Sequence, residues 1–283
     1  MERLRFLHIP KTAGSTFTSI LNRQYYGKKK FTFTGDLASN IKRFEALSKD
    51  EREKVVLFTG HAPIATGIRE ADDATIITFL RDPITRVKSF CQHVSEGKST
   101  YLINDFPPNS FDLDHFLRSG INELSNLQTK MLINHGTWPP PPLDQHMSAS
   151  EARDAALKNL FCKISYFGLQ EYFDESLIIF SSALNWRMPF YASQNIKNIS
   201  KLIEFEKRHL ALISELNAID IEVYKLAREQ FIKTLHSIEF DKGKLKRFQA
   251  VNAFASPILM SGELIVNVIK RTTGRLLRLL HSH

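Results

Sequence analysis

Near the N-terminus a lysine opens a run of small and hydroxyl-bearing residues: Lys11, Thr12, Ala13, Gly14, Ser15 and Thr16. The run lies between an apolar stretch, "RLRFL", and "FTSILNRQYY", in which Phe17, Ile20 and Leu21 fall on one side of a helix. Small residues let a ligand approach the backbone, and the first amides of a helix have no partner within it. With the helix dipole added, such a turn binds anions, and a lysine at its entrance points to phosphate or sulfate. It is not a Walker A loop, where the lysine closes a glycine-rich run. On these residues alone, a tight structural turn is the alternative. The second segment is "FLRDPITRVKSF". Arg81 ends an apolar run and Ser89 follows eight residues later. A guanidinium fork and a hydroxyl can together hold a second phosphate. Taken alone, an Arg81 paired with a nearby carboxylate is the simpler reading.

For both segments to act on one ligand, the fold must deliver them to the same edge of a sheet. "KVVLFTGH" and "ATIITFLRDP" read as buried strands, the second stopped by Pro83 and followed by the helix "ITRVKSFCQHV". "CKISYFGLQE" reads as another strand, ahead of the helix "FDESLIIFSSAL", and "GKKKFTFTGD" as a charged loop leading into an extended piece. Continuous apolar strands alternating with helices predict a P-loop-like, three-layer α/β fold: a central, mainly parallel sheet flanked by helices. Ligands of such sheets gather at the carboxyl ends of the strands, where Arg81 sits. Residues 98–150 are irregular and contain "WPPPPLD", whose prolines favour an extended loop. Beyond residue 200 the pattern is helical, giving a helical C-terminal region.

The 283 residues carry a net charge of +8, unevenly spread. Residues 241–283 hold eight Lys and Arg against two Asp and Glu, leaving 30 against 28 in residues 1–240. The basicity therefore belongs to the tail, and the nearly neutral remainder, with no basic–aromatic repeat, argues against a nucleic-acid partner. We divide the chain into a domain over 1–240 and a basic amphipathic tail over 241–283. Its "ELIVNVIKRTTGRLLRLL" alternates apolar clusters with Lys270, Arg271, Arg275 and Arg278, as an interfacial helix would; a closing helix packed on the domain is the alternative. Cys91 and Cys162 make no metal cluster and no disulfide framework, and read as small buried apolar residues in a reducing compartment. Arg3 and Arg5 interrupt the N-terminus, so no signal peptide is read there, and no run reaches membrane-spanning length. The expectation is a cytoplasmic protein, with peripheral contact at the inner membrane face through the tail.

"HIPKTAGSTF", followed seventy residues later by "RDPITRVKS", resembles the sulfotransferases that use 3′-phosphoadenosine 5′-phosphosulfate, PAPS. The likeness is greatest to the branch containing heparan sulfate 2-O-sulfotransferase and its bacterial relatives. "NLQTKML", "FGLQEYFDESLIIFSSALNW" and "LNAIDIEVYKLAREQF" extend it, in order, to about residue 235. The resemblance implies that Lys11, the amides of residues 12–16 and the hydroxyls of Thr12, Ser15 and Thr16 hold the 5′-phosphosulfate. Arg81 and Ser89 would hold the 3′-phosphate. It further implies a catalytic histidine in the context of "FTGHAPIATG", which nominates His61 as the base that takes the acceptor's proton. Lys11 would then meet the charge that grows on the bridging oxygen of the leaving phosphate. The implied acceptor is a carbohydrate hydroxyl, with PAPS as co-substrate and no metal. One departure stands out: the 2-O-sulfotransferases carry a second histidine two residues earlier, where this chain has Thr59.

Among the other histidines, His8 reads as structural, His93 and His115 as secondary candidates for the acceptor cleft, and His135 and His146 as surface residues. Two other function classes compete. A nucleotide-dependent kinase would use the same turn for ATP phosphates, but the chain lacks a Walker loop and an obvious carboxylate pair for Mg²⁺. A non-enzymatic module binding anionic glycan or nucleic acid would rely on the basic charge, which lies in the tail.

Overall fold

The computed structural model describes residues 2–134, 140–144, 146–192 and 202–259. Five strands form one sheet: β1 (Leu4–Leu7), β2 (Lys29–Phe33), β3 (Val55–Gly60), β4 (Thr75–Leu80) and β5 (Tyr166–Leu169). Their order is β2-β3-β1-β4-β5, and every neighbouring pair is parallel. The extended piece at "KKFTF" is thus the edge strand of the sheet. The helices between strands are α1 (Gly14–Gln24), α2 (Leu37–Glu45), α3 (Lys49–Glu53), α4 (Arg69–Asp72) and α5 (Pro83–Ser95). They are followed by α6 (Leu113–Leu117), α7 (Leu127–Ile133), α8 (Ala149–Cys162), α9 (Phe173–Ala183), α10 (Lys207–Leu216) and α11 (Ala218–Ser237). Residues 242–259 form a further helix.

The strands read as continuous apolar runs because both faces of the sheet are covered. Successive side chains alternate between faces. Leu4, Phe6, Ile77 and Phe79 enter one cluster with Phe17, Ile20 and Leu21 of α1 and Leu177, Ile178 and Phe180 of α9. Leu7, Ile76 and Leu80 enter the opposite cluster, with Leu127, Met131 and Leu132 of α7, Leu160 of α8 and Val223 and Phe231 of α11. This is the expected three-layer arrangement. The segment expected to be irregular, 98–150, carries α6, α7 and the start of α8; α7 is the "NLQTKML" motif. Part of its proline stretch, and His135, lie outside the described residues.

Packing near the C-terminal end of the described residues bears on the domain limit placed at residue 240. Phe248 is buried, stacks on Phe190 with ring centroids 5.5 Å apart, and joins the cluster formed by α1 and α9. Residues 260–283, which hold most of the amphipathic tail pattern, lie outside the described residues. Among the described residues no helix is long and apolar enough to cross a membrane. Cys91 is buried, whereas Cys162, the last residue of α8, is exposed, contrary to the expectation for it. Burial pushes the Cys91 thiol up to about 12, so it packs as an inert apolar group.

Candidate functional site

In a parallel sheet the carboxyl ends of all strands share one edge, and β3, β1 and β4 are adjacent there. The turn after β1 carries Lys11, β3 delivers His61, and β4 delivers Arg81. The sequence-nominated residues are therefore brought to one rim.

The turn after β1 bends sharply. Lys11 and Ala13 both sit in the left-handed region, with φ of 69° and 66°. Neither is glycine, so this backbone is strained, as is common where a ligand is gripped. A left-handed residue followed by a right-handed one, as at Ala13 and the helical Gly14, curls successive amides into a concave nest of the kind that can receive an anion. The hydroxyl of Thr12 is buried and donates to the Ile9 carbonyl (2.8 Å), fastening the turn to the end of β1. Ala13 is the N-cap of α1 and offers no side-chain cap, so the helix start presents backbone N–H groups. Ser15 is exposed and Thr16 buried. Gly14 answers to His8: a Cβ at position 14 would fall 1.7 Å from His8 Nε2.

His8 sits at the meeting point of two loops. Its ring stacks on Phe6 and lies 4.2 Å, centroid to centroid, from the ring of His61. His61 Nδ1–H donates to the His8 carbonyl at 2.8 Å. That bond fixes the tautomer and leaves the lone pair on Nε2. Gly60, at φ 109°, turns the chain out of β3 just before His61, and a Cβ there would strike the Phe33 carbonyl at 2.3 Å. The "GH" pair thus combines a turn only glycine permits with the residue it presents. Thr59 shares a hydrogen bond with Thr32 (3.2 Å) in the sheet.

The loop after His61 is tied back to β1. Arg5, buried in that strand, donates to Asp72 Oδ1 (2.8 Å), to the Ile64 carbonyl (3.1 Å) and to the Pro63 carbonyl. Asp72 in turn accepts the amides of Thr66 and Gly67.

Arg81 closes the site. Its Nη1 donates to the Lys11 carbonyl at 3.0 Å, joining the two loops directly, while its buried Nε has no hydrogen-bond partner among the described residues. Asp82 caps α5 by accepting the Thr85 amide, and the Asp82 amide donates to Glu171. Ser89 stands half-buried in the second turn of α5. Arg86, one helical turn on from Asp82, is fully buried, and its Nη2 donates to the Glu123 carbonyl.

Positive charge dominates this rim. Burial, then Arg81 and Lys98, push the Lys11 ammonium down to about 8, with Glu96 opposing. Burial lowers the Arg81 guanidinium, against Glu171. His61 is lowered by burial, an effect opposed by its bond to the His8 carbonyl and by Glu123. His8 is pushed well below its ordinary value by burial and by His61 and Lys11. His93, on the last turn of α5, is pushed down to about 4 by burial and by Lys11, so it belongs to this charged neighbourhood. His115 is exposed and packs against Phe106 in a separate cluster, and His146 is exposed. Among the described residues no group of three His, Cys, Asp or Glu could hold a metal ion.

Several participants carried no individual assignment in the sequence. Gln128 of "NLQTKML" bonds the Arg81 backbone, Glu171 of "FGLQEYF" receives the Asp82 amide, and Asp220 of "LNAIDIE" caps α7. The resemblance included these segments, but their residue types alone give no sign of the roles.

No family model matches the chain. Heparan-sulfate 6-O-sulfotransferase 2 of Danio rerio is 26% identical over 276 residues, covering 81% of this chain and 58% of the relative. The Homo sapiens protein of that name is 24% identical over 275 residues, covering 81% and 44%. Heparan-sulfate 6-O-sulfotransferase 1 of Cricetulus griseus is 24% identical over 188 residues, covering 58% and 46%. The chain spans about half the length of the curated relatives it matches. A structure of mouse sulfotransferase SULT7A1 complexed with PAP aligns at a TM-score of 0.38 and 13% identity, covering 76% of this chain and 63% of the other. The relatives named here are 6-O enzymes, whereas the motifs most resembled the branch with the 2-O enzyme. Over four-fifths of its length, then, this chain is similar to sulfotransferases.

Proposed function

We propose that the chain is a PAPS-dependent sulfotransferase that moves a sulfuryl group onto a carbohydrate hydroxyl. The observation that carries this reading is the bond from Arg81 to the Lys11 carbonyl, which joins two loops seventy residues apart and supports reading them as one anion site. The buried Nε of Arg81 meets no acceptor among the described residues, and the strained turn beside it offers amides at a helix start. Both fit a nucleotide bearing two separated phosphates.

When bound, the donor supplies the sulfuryl group and a bisphosphate leaving group. The chain's residues do the rest. The amides of Thr12, Ala13, Gly14, Ser15 and Thr16, with the hydroxyls of Ser15 and Thr16, hold the 5′-phosphosulfate. The Thr12 hydroxyl was expected to share this work; we assign it to fastening the turn. Lys11 neutralises the charge that grows at the bridging oxygen, and Arg81 and Ser89 hold the 3′-phosphate. His61 Nε2 accepts the acceptor's hydroxyl proton, a role supported by the Nδ1 bond to the His8 carbonyl.

Similarity to heparan-sulfate 6-O-sulfotransferases supports a glycan acceptor, and it favours a primary hydroxyl over the uronic acid position suggested by the 2-O branch. Thr59, standing where that branch has a second histidine, agrees. Peripheral membrane contact through the tail remains part of the proposal and concerns residues 260–283.

Calorimetry separates the competing classes. Adenosine 3′,5′-bisphosphate should bind, ATP should bind more weakly, and labelled PAPS should transfer to at least one member of a glycan panel. Tight ATP binding with no bisphosphate preference would favour a kinase; binding of polyanions alone would favour a non-enzymatic module.

A further inference from the structure

Arg81 lies one residue beyond the ladder: β4 ends at Leu80, paired with Leu169 of β5. Its main chain is nevertheless held at both polar groups. The Arg81 amide donates to Gln128 Oε1 (2.9 Å), and Gln128 Nε2–H donates to the Arg81 carbonyl (2.8 Å). A buried carboxamide thus takes the place of a strand neighbour. The carboxamide donates and accepts at once, which an ionised glutamate or a methionine could not do.

Gln128 is itself fixed from a distance. Its amide and that of Thr129 donate to the two carboxylate oxygens of Asp220 on α11, at 3.0 and 2.7 Å. The arrangement is reciprocal. Asn126, before α7, accepts the amides of Ile219 and Asp220 on its side-chain oxygen and donates its own amide to Asn217 (3.0 Å). The starts of α7 and α11 therefore cap each other, with Gln128, Asn217 and Asp220 all buried.

We propose that Gln128, held by Asp220, is a positioning residue that aims the Arg81 guanidinium at the 3′-phosphate; this rests on the donor assignment made above. With Nη1 committed to the Lys11 carbonyl, the reach of the remaining donors depends on where the Arg81 backbone stands. A small displacement there misaligns charge-assisted bonds whose strength depends on geometry.

The test compares affinities of the full chain for adenosine 3′,5′-bisphosphate and adenosine 5′-phosphate, which differ only in the 3′-phosphate. Gln128→Met keeps the volume and removes both bonds, so bisphosphate affinity should fall about tenfold while monophosphate affinity changes little. Asp220→Asn, which does not touch Arg81, should move the ratio the same way by about threefold. It carries the test if the methionine variant fails to fold. A ratio unchanged in the folded variants, or equal losses for both nucleotides, would overturn the positioning role and leave a structural one. If the unaltered protein binds the two nucleotides equally, the donor assignment fails first and this inference falls with it.

Discussion

Lys11 keeps its ammonium in a half-buried position beside Arg81 and Lys98, which is why it is pushed down to about 8. An anion held at the same turn would favour the charged form, so the Lys11 pKa must be higher in the complex than in the free protein. Above pH 8 binding should then take up a proton, and affinity should fall as pH rises through that value. Calorimetry of adenosine 3′,5′-bisphosphate in buffers of different ionisation heat measures the uptake. It should disappear in Lys11→Met, and no uptake by the unaltered protein would place the ammonium away from the anion. His61 makes a different demand. Burial favours its neutral imidazole, the form that can accept a proton, and should move the acidic limb of the rate profile below that of an ordinary histidine. His61→Ala should reduce turnover about a hundredfold or more, remove that limb and leave donor affinity unchanged. Arg81→Ala should show the opposite division, weakening the bisphosphate by about 1.5–3 kcal/mol. If His61→Ala retains its turnover and its limb, the base lies elsewhere, and His93, in the same charged neighbourhood, is tested next.

At the scale of elements, the site depends on short loops held to rigid strands. The clearest case is the loop after His61, anchored by the Arg5–Asp72 pair. Asp72→Ala would leave a buried guanidinium without its carboxylate and should destabilise the fold by about 3 kcal/mol in urea unfolding. It should also lower turnover among the molecules still folded, because that loop presents His61. Unaltered turnover would show that β3 and Gly60 suffice to place the ring. These loops also mark how far the sequence could be read. Strands β1, β3 and β4 and the turn at Lys11 were legible because apolar runs ending in Gly, Pro or a basic residue are local signals, and β5 because its apolar run stands just ahead of a strongly apolar helix. So was the convergence of Lys11 and Arg81, since parallel strands share an edge. The pairing of β1 with both β3 and β4, and the edge position of β2, were not, because strand order is set by contacts far apart in the chain. Gln128, Asp220 and Asn126 were illegible for the same reason. Each acts through a hydrogen bond to a residue roughly fifty to ninety positions away, and a polar side chain gives no local sign of such a partner.

For the whole molecule, the question is where the folded unit ends. A limit at residue 240 follows the change in charge, but burial continues past it. Phe248 is 1% exposed, the Tyr191 amide donates to Asn252 Oδ1 (2.7 Å), and Gln249 donates to Asp174 (3.0 Å). These contacts close the cluster in which α1 and α9 cover one face of the sheet. Phe248→Ala should therefore cost about 3–5 kcal/mol, and a chain ending at residue 240 should melt well below the full chain. A chain ending at residue 259 retains every one of these contacts and should keep both its melting temperature and its bisphosphate affinity. The same truncation isolates the tail. On the helix over 242–259, Val251, Phe254 and Ile258 recur at helical spacing and are exposed, Phe254 by 78%. The basic amphipathic pattern of 260–283 follows directly in the chain. If that pattern binds membranes, the full chain should co-sediment with vesicles containing phosphatidylserine but not with phosphatidylcholine vesicles, and salt should weaken the binding. The chain ending at residue 259 should stay in solution in both cases. Equal sedimentation of the two chains would remove the tail from the membrane, and unequal melting of the two would make it part of the fold instead.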